Sequence, residues 1–113
     1  MRVAVIGSRS LTHVEIGPFL PPGTTEIISG GAKGVDTCAA KYAWDHGIPL
    51  TEFRPDYPRY GRTAPLVRDR QMVDFADFVV ALWDGSSHGT IYTVQYARKQ
   101  HKPTKLYRYR QCE

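Results

Sequence analysis

Two glycine-rich turns carry the residue types that bind phosphates, and each turn follows an apolar run. The first extends from Ser29 to Asp36 and the second from Asp84 to Thr90. At the start of a helix, free backbone N–H groups and the helix dipole both favour an anion. Because both turns follow predicted parallel strands, we expect them to meet at one edge of the sheet. Together they predict a ligand that contains a phosphate and a sugar and that contacts both turns.

Small hydroxyls and two carboxylates accompany these turns. Ser86, Ser87 and Thr90 suit phosphate oxygens, because their side chains and backbone amides can donate together. An ordinary helix N-cap explains the same serines. Asp36 either compensates the helix dipole or contacts a ligand. Asp84 either accepts from a ribose hydroxyl or caps its own turn.

Arginines can complete an anion site at this edge. Arg9 follows the first strand, where its guanidinium can bind a phosphate through two hydrogen bonds. Arg68 and Arg70 are two residues apart on a predicted helix, so they point in different directions. We favour Arg70, because apolar residues anchor that end of the helix. The predicted ligand-binding residues are Gly7, Ser8, Arg9, Gly30, Gly31, Ala32, Gly34, Asp36, Arg70, Asp84, Gly85, Ser86, Ser87, Gly89 and Thr90.

The chain shows no pattern typical of a metal site and no obvious catalytic triad. None of the four histidines stands with Cys, Asp or Glu at metal-ligand spacing. Cys38 and Cys112 are the two cysteines, and they give neither a disulfide framework nor a metal-ligand pair. No Ser/His/Asp set is obvious in the sequence. We therefore predict no metal and no cofactor, and we assign no catalytic residue.

Strands and helices must alternate to position these residues. Apolar runs predict strands at about 2–6, 25–29, 48–53, 77–83 and 104–109. Helices are predicted at 12–20 (short), 33–46, 63–75 and 89–100, with a loop at 54–61 and Thr63 as a helix cap. This order predicts an α/β fold, Rossmann-like and doubly wound, with a mostly parallel five-stranded sheet and helices on both faces. The first and fourth strands, the most continuously apolar, should be central.

Composition is that of one ordinary globular domain spanning residues 1–113. Hydrophobic residues make up 42% and charged residues 23% of the chain. No apolar run approaches the roughly 20 residues that span a bilayer, so no membrane partner is predicted. The N-terminus resembles a first strand rather than a signal peptide, which predicts a cytoplasmic protein.

The net charge of +4 is unevenly distributed. Residues 98–110 contain six basic side chains and no acid. Either this segment is a solvated surface, or it contacts an anionic partner such as a single-stranded nucleic acid. Tyr107 and Tyr109 interleave with the cations, which is compatible with base stacking.

Aromatic residues on the outer helices point to self-association. Tyr42, Trp44, Tyr92 and Tyr96 present more aromatic surface than one small domain easily buries. Exposed apolar patches often mark interfaces, so we expect a homo-oligomer, with a dimer as the first choice.

Several of these segments together resemble the SLOG superfamily. They are residues 5–9, 28–36, 70–73, 76–77 and 83–90. This group joins the DNA-processing protein A proteins with the Lonely Guy proteins, and the chain is most similar to its small stand-alone YspA-like branch. The resemblance spans about residues 2–107. It implies a Rossmann-like sheet that binds nucleotides or nucleotide-derived ligands through the turns at 30–36 and 85–90, and relatives that commonly form dimers.

The chain departs from the Lonely Guy pattern at one position. Those enzymes cleave the N-glycosidic bond of a nucleoside 5′-monophosphate and use P-G-G-x-G-T-x-x-E, whose glutamate is catalytic. Here Gly89 and Thr90 match, but Thr93 stands in place of the glutamate. A hydroxyl supplies neither a general base nor negative charge for an oxocarbenium-like transition state. Hydrolysis by that mechanism is therefore not expected.

Three functions remain open from the sequence. The first is binding of a nucleotide or nucleotide-derived small molecule, for example by a sensor module. The second is a nucleoside-monophosphate N-glycosidase or phosphoribohydrolase that uses a different acid, such as Asp36 or Asp84. The third is single-stranded nucleic-acid binding through the basic C-terminal segment.

Overall fold

Five strands form one parallel sheet in the computed structural model, which describes residues 1–110. The strands are β1 (Arg2–Gly7), β2 (Glu26–Ser29), β3 (Leu50–Glu52), β4 (Phe78–Trp83) and β5 (Thr104–Arg108), in the spatial order β3-β2-β1-β4-β5. Every neighbouring pair is parallel. The predicted α/β Rossmann-like class is confirmed.

Helices cover both faces of this sheet. They are α1 (Val35–Asp45), α2 (Tyr57–Tyr60), α3 (Ala64–Phe75) and α4 (His88–Lys99). Successive residues of β1 point to opposite faces, as in any strand. Val3 and Val5 pack in the cluster that contains α1, whereas Ala4 and Ile6 pack in the cluster that contains α3 and α4. A strand buried on both faces has a continuous apolar run, as β1 has from Val3 to Ile6 and β4 has from Phe78 to Trp83.

The strand order reverses between β1 and β4, which creates the point where this architecture can hold a ligand. The chain builds outward from β1 through β2 to β3, and α3 then carries it back to β4. Connections on the two sides of β1 therefore leave in opposite directions, and a crevice opens at the carboxyl ends of β1 and β4. Gly7 is in register with Leu82, and the Ser8 amide donates to the Leu82 carbonyl at 3.1 Å.

The predicted helix at 12–20 is wrong. Only a single 3₁₀ turn forms there, at Gly17–Phe19. Pro18 has no N–H to continue a helical ladder, while Leu11 and Ile16 are buried against the α1 face of the sheet. The segment covers the core as an irregular loop.

The segment at 54–61 contains more structure than the predicted loop. Helix α2 forms a single turn within it, and the Asp56 side chain caps the turn by accepting from the Arg59 amide at 3.2 Å. Thr63 does not cap α3, because its hydroxyl donates to the Tyr60 carbonyl at 2.8 Å. A 3₁₀ turn at Gly61–Thr63 leads directly into α3 instead.

Gly7 is required where β1, β4 and α1 meet. A Cβ at this position would lie 2.5 Å from the Leu82 carbonyl oxygen and 2.5 Å from Cγ2 of Val35. Neither the sheet backbone nor the buried valine can move away cheaply, because interiors are closely packed. A Cβ built at Gly89, at the start of α4, meets no atom within 4 Å.

These two glycines give a matched stability prediction. Gly7→Ala should lower the free energy of unfolding by about 1–3 kcal/mol, because the added methyl overpacks the core. Gly89→Ala should leave stability unchanged or raise it by up to about 1 kcal/mol, because alanine favours the helix. Urea denaturation followed by circular dichroism measures both. Equal losses in the two variants would contradict this account of Gly7.

Candidate functional site

A cleft of about 360 Å³ lies at the carboxyl ends of β1 and β4. Both glycine-rich turns contribute to it, the first through Ala32 and Asp36 and the second through residues 84–90. The predicted ligand-binding residues that line it are Gly7, Arg9, Ala32, Asp36, Asp84, Ser87, Gly89 and Thr90. Its volume lies within the range of roughly 300–1,000 Å³ typical of small-molecule sites.

Two other predicted residues stand behind the cleft wall. Ser8 is 1% exposed, and its hydroxyl accepts from the Asp84 amide at 3.1 Å. The same hydroxyl lies 3.5 Å from that of Thr90, so Ser8 ties β1 to the second turn. Gly34 has a φ of +77°, and a Cβ there would lie 2.7 Å from the Arg9 backbone. These residues shape the cleft without lining it.

The remaining predicted residues do not line the cleft. Gly30 and Gly31 line a neighbouring pocket. Gly85 has a φ of +95° and packs beside the Arg108 guanidinium. Ser86 is exposed, and Arg70 is not among the residues that line the cleft.

Arg68, rather than the expected Arg70, enters the cleft from α3. Arg68 is 5% exposed, and its Nη1 donates to the Gly30 carbonyl. The signal was present in the sequence: Arg68 lies four residues before the fully buried Met72, and residues four apart share one face of a helix. The apolar residues that favoured Arg70 therefore orient Arg68 inward.

The second glycine-rich turn is capped by its own aspartate. Asp84 Oδ1 accepts from the amides of Ser86 at 2.8 Å and Ser87 at 2.9 Å. Asp84 Oδ2 accepts from the Ser10 hydroxyl at 2.7 Å. Chiefly the Ser10 hydroxyl, and then the Ser86 amide, hold the pKa of Asp84 below its usual range. At neutral pH an ionised carboxylate therefore occupies the place where these amides would hold a phosphate.

The first glycine-rich turn is capped in the same way. Asp36 Oδ2 accepts from the Ala32 amide at 3.1 Å. Burial raises the pKa of Asp36 to about 6, although the Ala32 amide and the Arg68 guanidinium both favour its ionised form. The two turns thus meet at one cleft, but the expectation that their amides are unpaired fails at Ala32, Ser86 and Ser87.

Helix α3 adds a carboxylate that sequence reasoning missed. Asp69 Oδ1 accepts from Arg68 Nε at 2.7 Å, and Asp69 Oδ2 accepts from the Thr93 hydroxyl at 3.1 Å. Burial raises the pKa of Asp69, against the opposing effect of the Arg68 charge. Thr93 is fully buried. Thus, at the position where the Lonely Guy pattern has glutamate, this chain has a threonine that hydrogen-bonds an aspartate from another helix.

In the basic C-terminal segment, the aromatic residues pack against the rest of the domain. Phe19 packs against Tyr107 and Tyr109, with ring centroids 4.9 and 5.9 Å apart. Lys102 Nζ donates to the Ala76 carbonyl at 2.7 Å. Both tyrosines and this lysine thus serve the fold, while Lys105 and Arg108 are exposed. Nucleic-acid binding here stays a prediction.

The outer aromatic residues differ in exposure. Tyr42 stacks on His46 with centroids 3.9 Å apart, and the Tyr96 hydroxyl donates to Asp74 Oδ1 at 2.7 Å. Trp44 is 87% exposed and Tyr92 38%. Of these four aromatic residues, Trp44 and Tyr92 are therefore the ones exposed enough to contribute to a dimer interface. The dimer stays a prediction.

Within residues 1–110, no group of three or more His, Cys, Asp or Glu side chains is placed to hold a metal ion. No described helix is both long and apolar enough to cross a bilayer. Cys112 lies outside the described residues.

Comparison with known proteins finds a family match over part of the chain. Residues 20–60, which span β2, the first glycine-rich turn, α1 and β3, match the YAcAr family, described as the YspA, cpYpsA-related SLOG family. This match covers 41 of the 113 residues and supports membership of the SLOG superfamily. No curated protein and no solved structure matches the chain significantly. The match suggests a role in binding or processing nucleotide-related ligands.

The Asp36 environment predicts a pH dependence of stability. The carboxyl has a pKa of about 6 in the folded protein against an ordinary 3.8, so the folded state binds its proton more tightly than the unfolded state. Stability is therefore lost as pH rises from about 4 to 6, by at most about 3 kcal/mol. Asp36→Asn should lack this loss, while the charges of Arg68 and Asp69 stay in place.

Urea denaturation of both proteins at pH 4, 5, 6 and 7 measures this effect. The free energy of unfolding of Asp36→Asn, relative to the parent, should rise across the series. A relative stability that is independent of pH would show that Asp36 is not held in a destabilising environment.

Proposed function

We propose that this protein binds a nucleotide or a nucleotide-derived small molecule in the cleft between the ends of β1 and β4. The observation that supports this most directly is the convergence of both glycine-rich turns with the Arg68–Asp69 ion pair on one cavity. The cavity lies where the strand order reverses, which is where open α/β sheets bind ligands. Membership of the SLOG superfamily points to the same ligand class.

The polar groups of the cleft match the sugar of such a ligand. Carboxylates accept hydrogen bonds only, and hydroxyls both donate and accept. Asp36, Asp69 and the hydroxyls of Ser10 and Thr90 can therefore bind ribose hydroxyls. Arg9, which lies at the same cleft, supplies a positive charge for a phosphate.

Gly89 allows a direct test of this site. Because a Cβ at this position meets open space, the side chain of Gly89→Leu should extend into the cleft without disturbing the fold. Titration calorimetry with nucleoside monophosphates, ADP-ribose and cyclic nucleotides should detect binding to the parent. The affinity of Gly89→Leu should be about tenfold lower or worse.

The matched control is Gln95→Leu, which places the same side chain on an exposed position of the same helix. It should bind as the parent does. A parent protein that binds no member of the panel, or a Gly89→Leu protein that binds with parental affinity, would contradict the proposed site.

One observation also favours a second function, hydrolysis of an N-glycosidic bond with Asp69 as the acid. The Thr93 hydroxyl donates to Asp69, so the cleft has a carboxylate next to the position where the Lonely Guy glutamate would stand. Burial raises the pKa of Asp69, which suits general acid–base catalysis. Asp84 is unsuited to the acid role, because its hydrogen bonds keep it ionised. In this reaction the protonated Asp69 donates its proton to the leaving nucleobase as the C1′–N bond breaks, water bonds to C1′, and the ionised Asp69 takes up the proton that the water loses.

This second function predicts release of free base from a nucleoside monophosphate. Chromatography of the reaction mixture measures the base, and Asp69→Asn should reduce the rate by about a hundredfold or more, since general acid–base catalysis contributes typically that much. The control Asp45→Asn changes an exposed aspartate of α1 and should keep the parental rate. If the parent releases no base, the cleft binds without turnover.

A further inference from the structure

A second pocket adjoins the cleft on the side of the first glycine-rich turn. It encloses about 510 Å³ and is lined by the backbone of residues 30–33 together with Arg9, Tyr57 and Arg68. Arg9, Ala32 and Arg68 line both cavities, so these residues form their common wall. A single ligand can therefore extend from one cavity into the other.

The two cavities differ in charge. Three carboxylates, those of Asp36, Asp69 and Asp84, line the cleft together with the shared Arg9 and Arg68. The charged residues that line the second pocket are Arg9, Lys33 and Arg68, all basic, so we call it the basic pocket. Glu52, beside Gly31, stands at its border and is not one of its lining residues.

Two of these three cations are available to a ligand. Within residues 1–110, the ion pairs shorter than 4 Å are Arg2–Asp77 and Arg68–Asp69. Arg68 is thus engaged by Asp69 and by the Gly30 carbonyl. Arg9 and Lys33 are exposed and make no ion pair within that part of the chain.

The cleft itself is a poor place for a phosphate. The amides of Ser86 and Ser87 already bond to Asp84, and that of Ala32 bonds to Asp36. A phosphate placed there would have to displace these bonds and approach an ionised carboxylate, and like charges at short distance repel. The carboxylates instead suit a neutral group rich in hydroxyls.

We propose that the ligand lies across both cavities, with its phosphate in the basic pocket against Arg9 and Lys33 and its sugar hydroxyls in the cleft. The ligand class is a phosphorylated sugar compound, nucleotides included. This assignment rests on the proposed binding function and goes beyond it, because it moves the phosphate away from the second glycine-rich turn. Arg9, at the common wall, contacts the ligand where phosphate joins sugar.

The test compares two ligand pairs that differ only by the phosphate: AMP with adenosine, and ribose 5-phosphate with ribose. Titration calorimetry at pH 7.5 and low salt measures each affinity. The parent should prefer each phosphorylated member by about tenfold or more. In Arg9→Gln and in Lys33→Gln this preference should fall to about threefold or less, while the affinity for adenosine stays near that of the parent.

The matched control is Lys41→Gln, an exposed lysine of α1 that lines neither cavity, which should keep the parental preference. Circular dichroism and thermal melting establish that each variant folds. A parental preference retained in both Arg9→Gln and Lys33→Gln would overturn the phosphate position, as would a parent that binds both members of each pair equally. These results leave the binding function standing. A parent that binds none of the four compounds and no member of the nucleotide panel would overturn both.

Discussion

Each glycine-rich turn folds around the carboxylate of its own aspartate, and the geometry of the cleft depends on these two contacts. Asp84 accepts from two amides of its turn and from Ser10, which joins the end of β1 to the turn after β4. Asp36 accepts from Ala32 and so holds the turn after β2 against α1. An internal carboxylate can satisfy the same orphan amides that a bound phosphate would satisfy. The amides of Ala32, Ser86 and Ser87 are therefore satisfied within the protein before any ligand arrives.

The two aspartates differ because their surroundings differ. Asp84 is only partly buried, and its hydrogen bonds outweigh the cost of desolvation, which lowers its pKa. Asp36 is 7% exposed, and desolvation dominates despite the Ala32 amide and Arg68. Arg68 is the buried cation that limits this cost for both Asp36 and Asp69. A buried carboxylate left without such a partner is strongly destabilising, so Arg68 makes this pair of acids tolerable.

The sheet could be predicted from the sequence because its signals are local. Apolar runs identify all five strands, and their alternation with helices leaves few topologies. The helix expected at 12–20 failed because helical spacing of apolar residues also suits a loop that covers a core. The inward position of Arg68 follows from its spacing to Met72, but the contacts of Asp69 with Arg68 and Thr93 depend on how α3 packs beside α4, which the sequence does not reveal. For Asp36 and Asp84, the sequence left two roles open: a local role in the turn or helix start, and contact with a ligand. The two roles require the same residue type at the same position, so only the folded structure shows whether the carboxylate bonds to its own turn or faces outward.

Thr93 shows how the cleft can hold an acid in two protonation states. A hydroxyl has one proton to donate and can also accept. Two acceptors lie within reach of the Thr93 hydroxyl, the Gly89 carbonyl at 2.9 Å and Asp69 Oδ2 at 3.1 Å. When Asp69 is ionised, the threonine proton can serve the carboxylate. When Asp69 is protonated, the carboxyl can donate to Thr93, and Thr93 can turn its own proton to Gly89. A threonine at this position therefore satisfies both states of Asp69 without any movement of the backbone, whereas a glutamate there would add a second negative charge beside a half-buried acid.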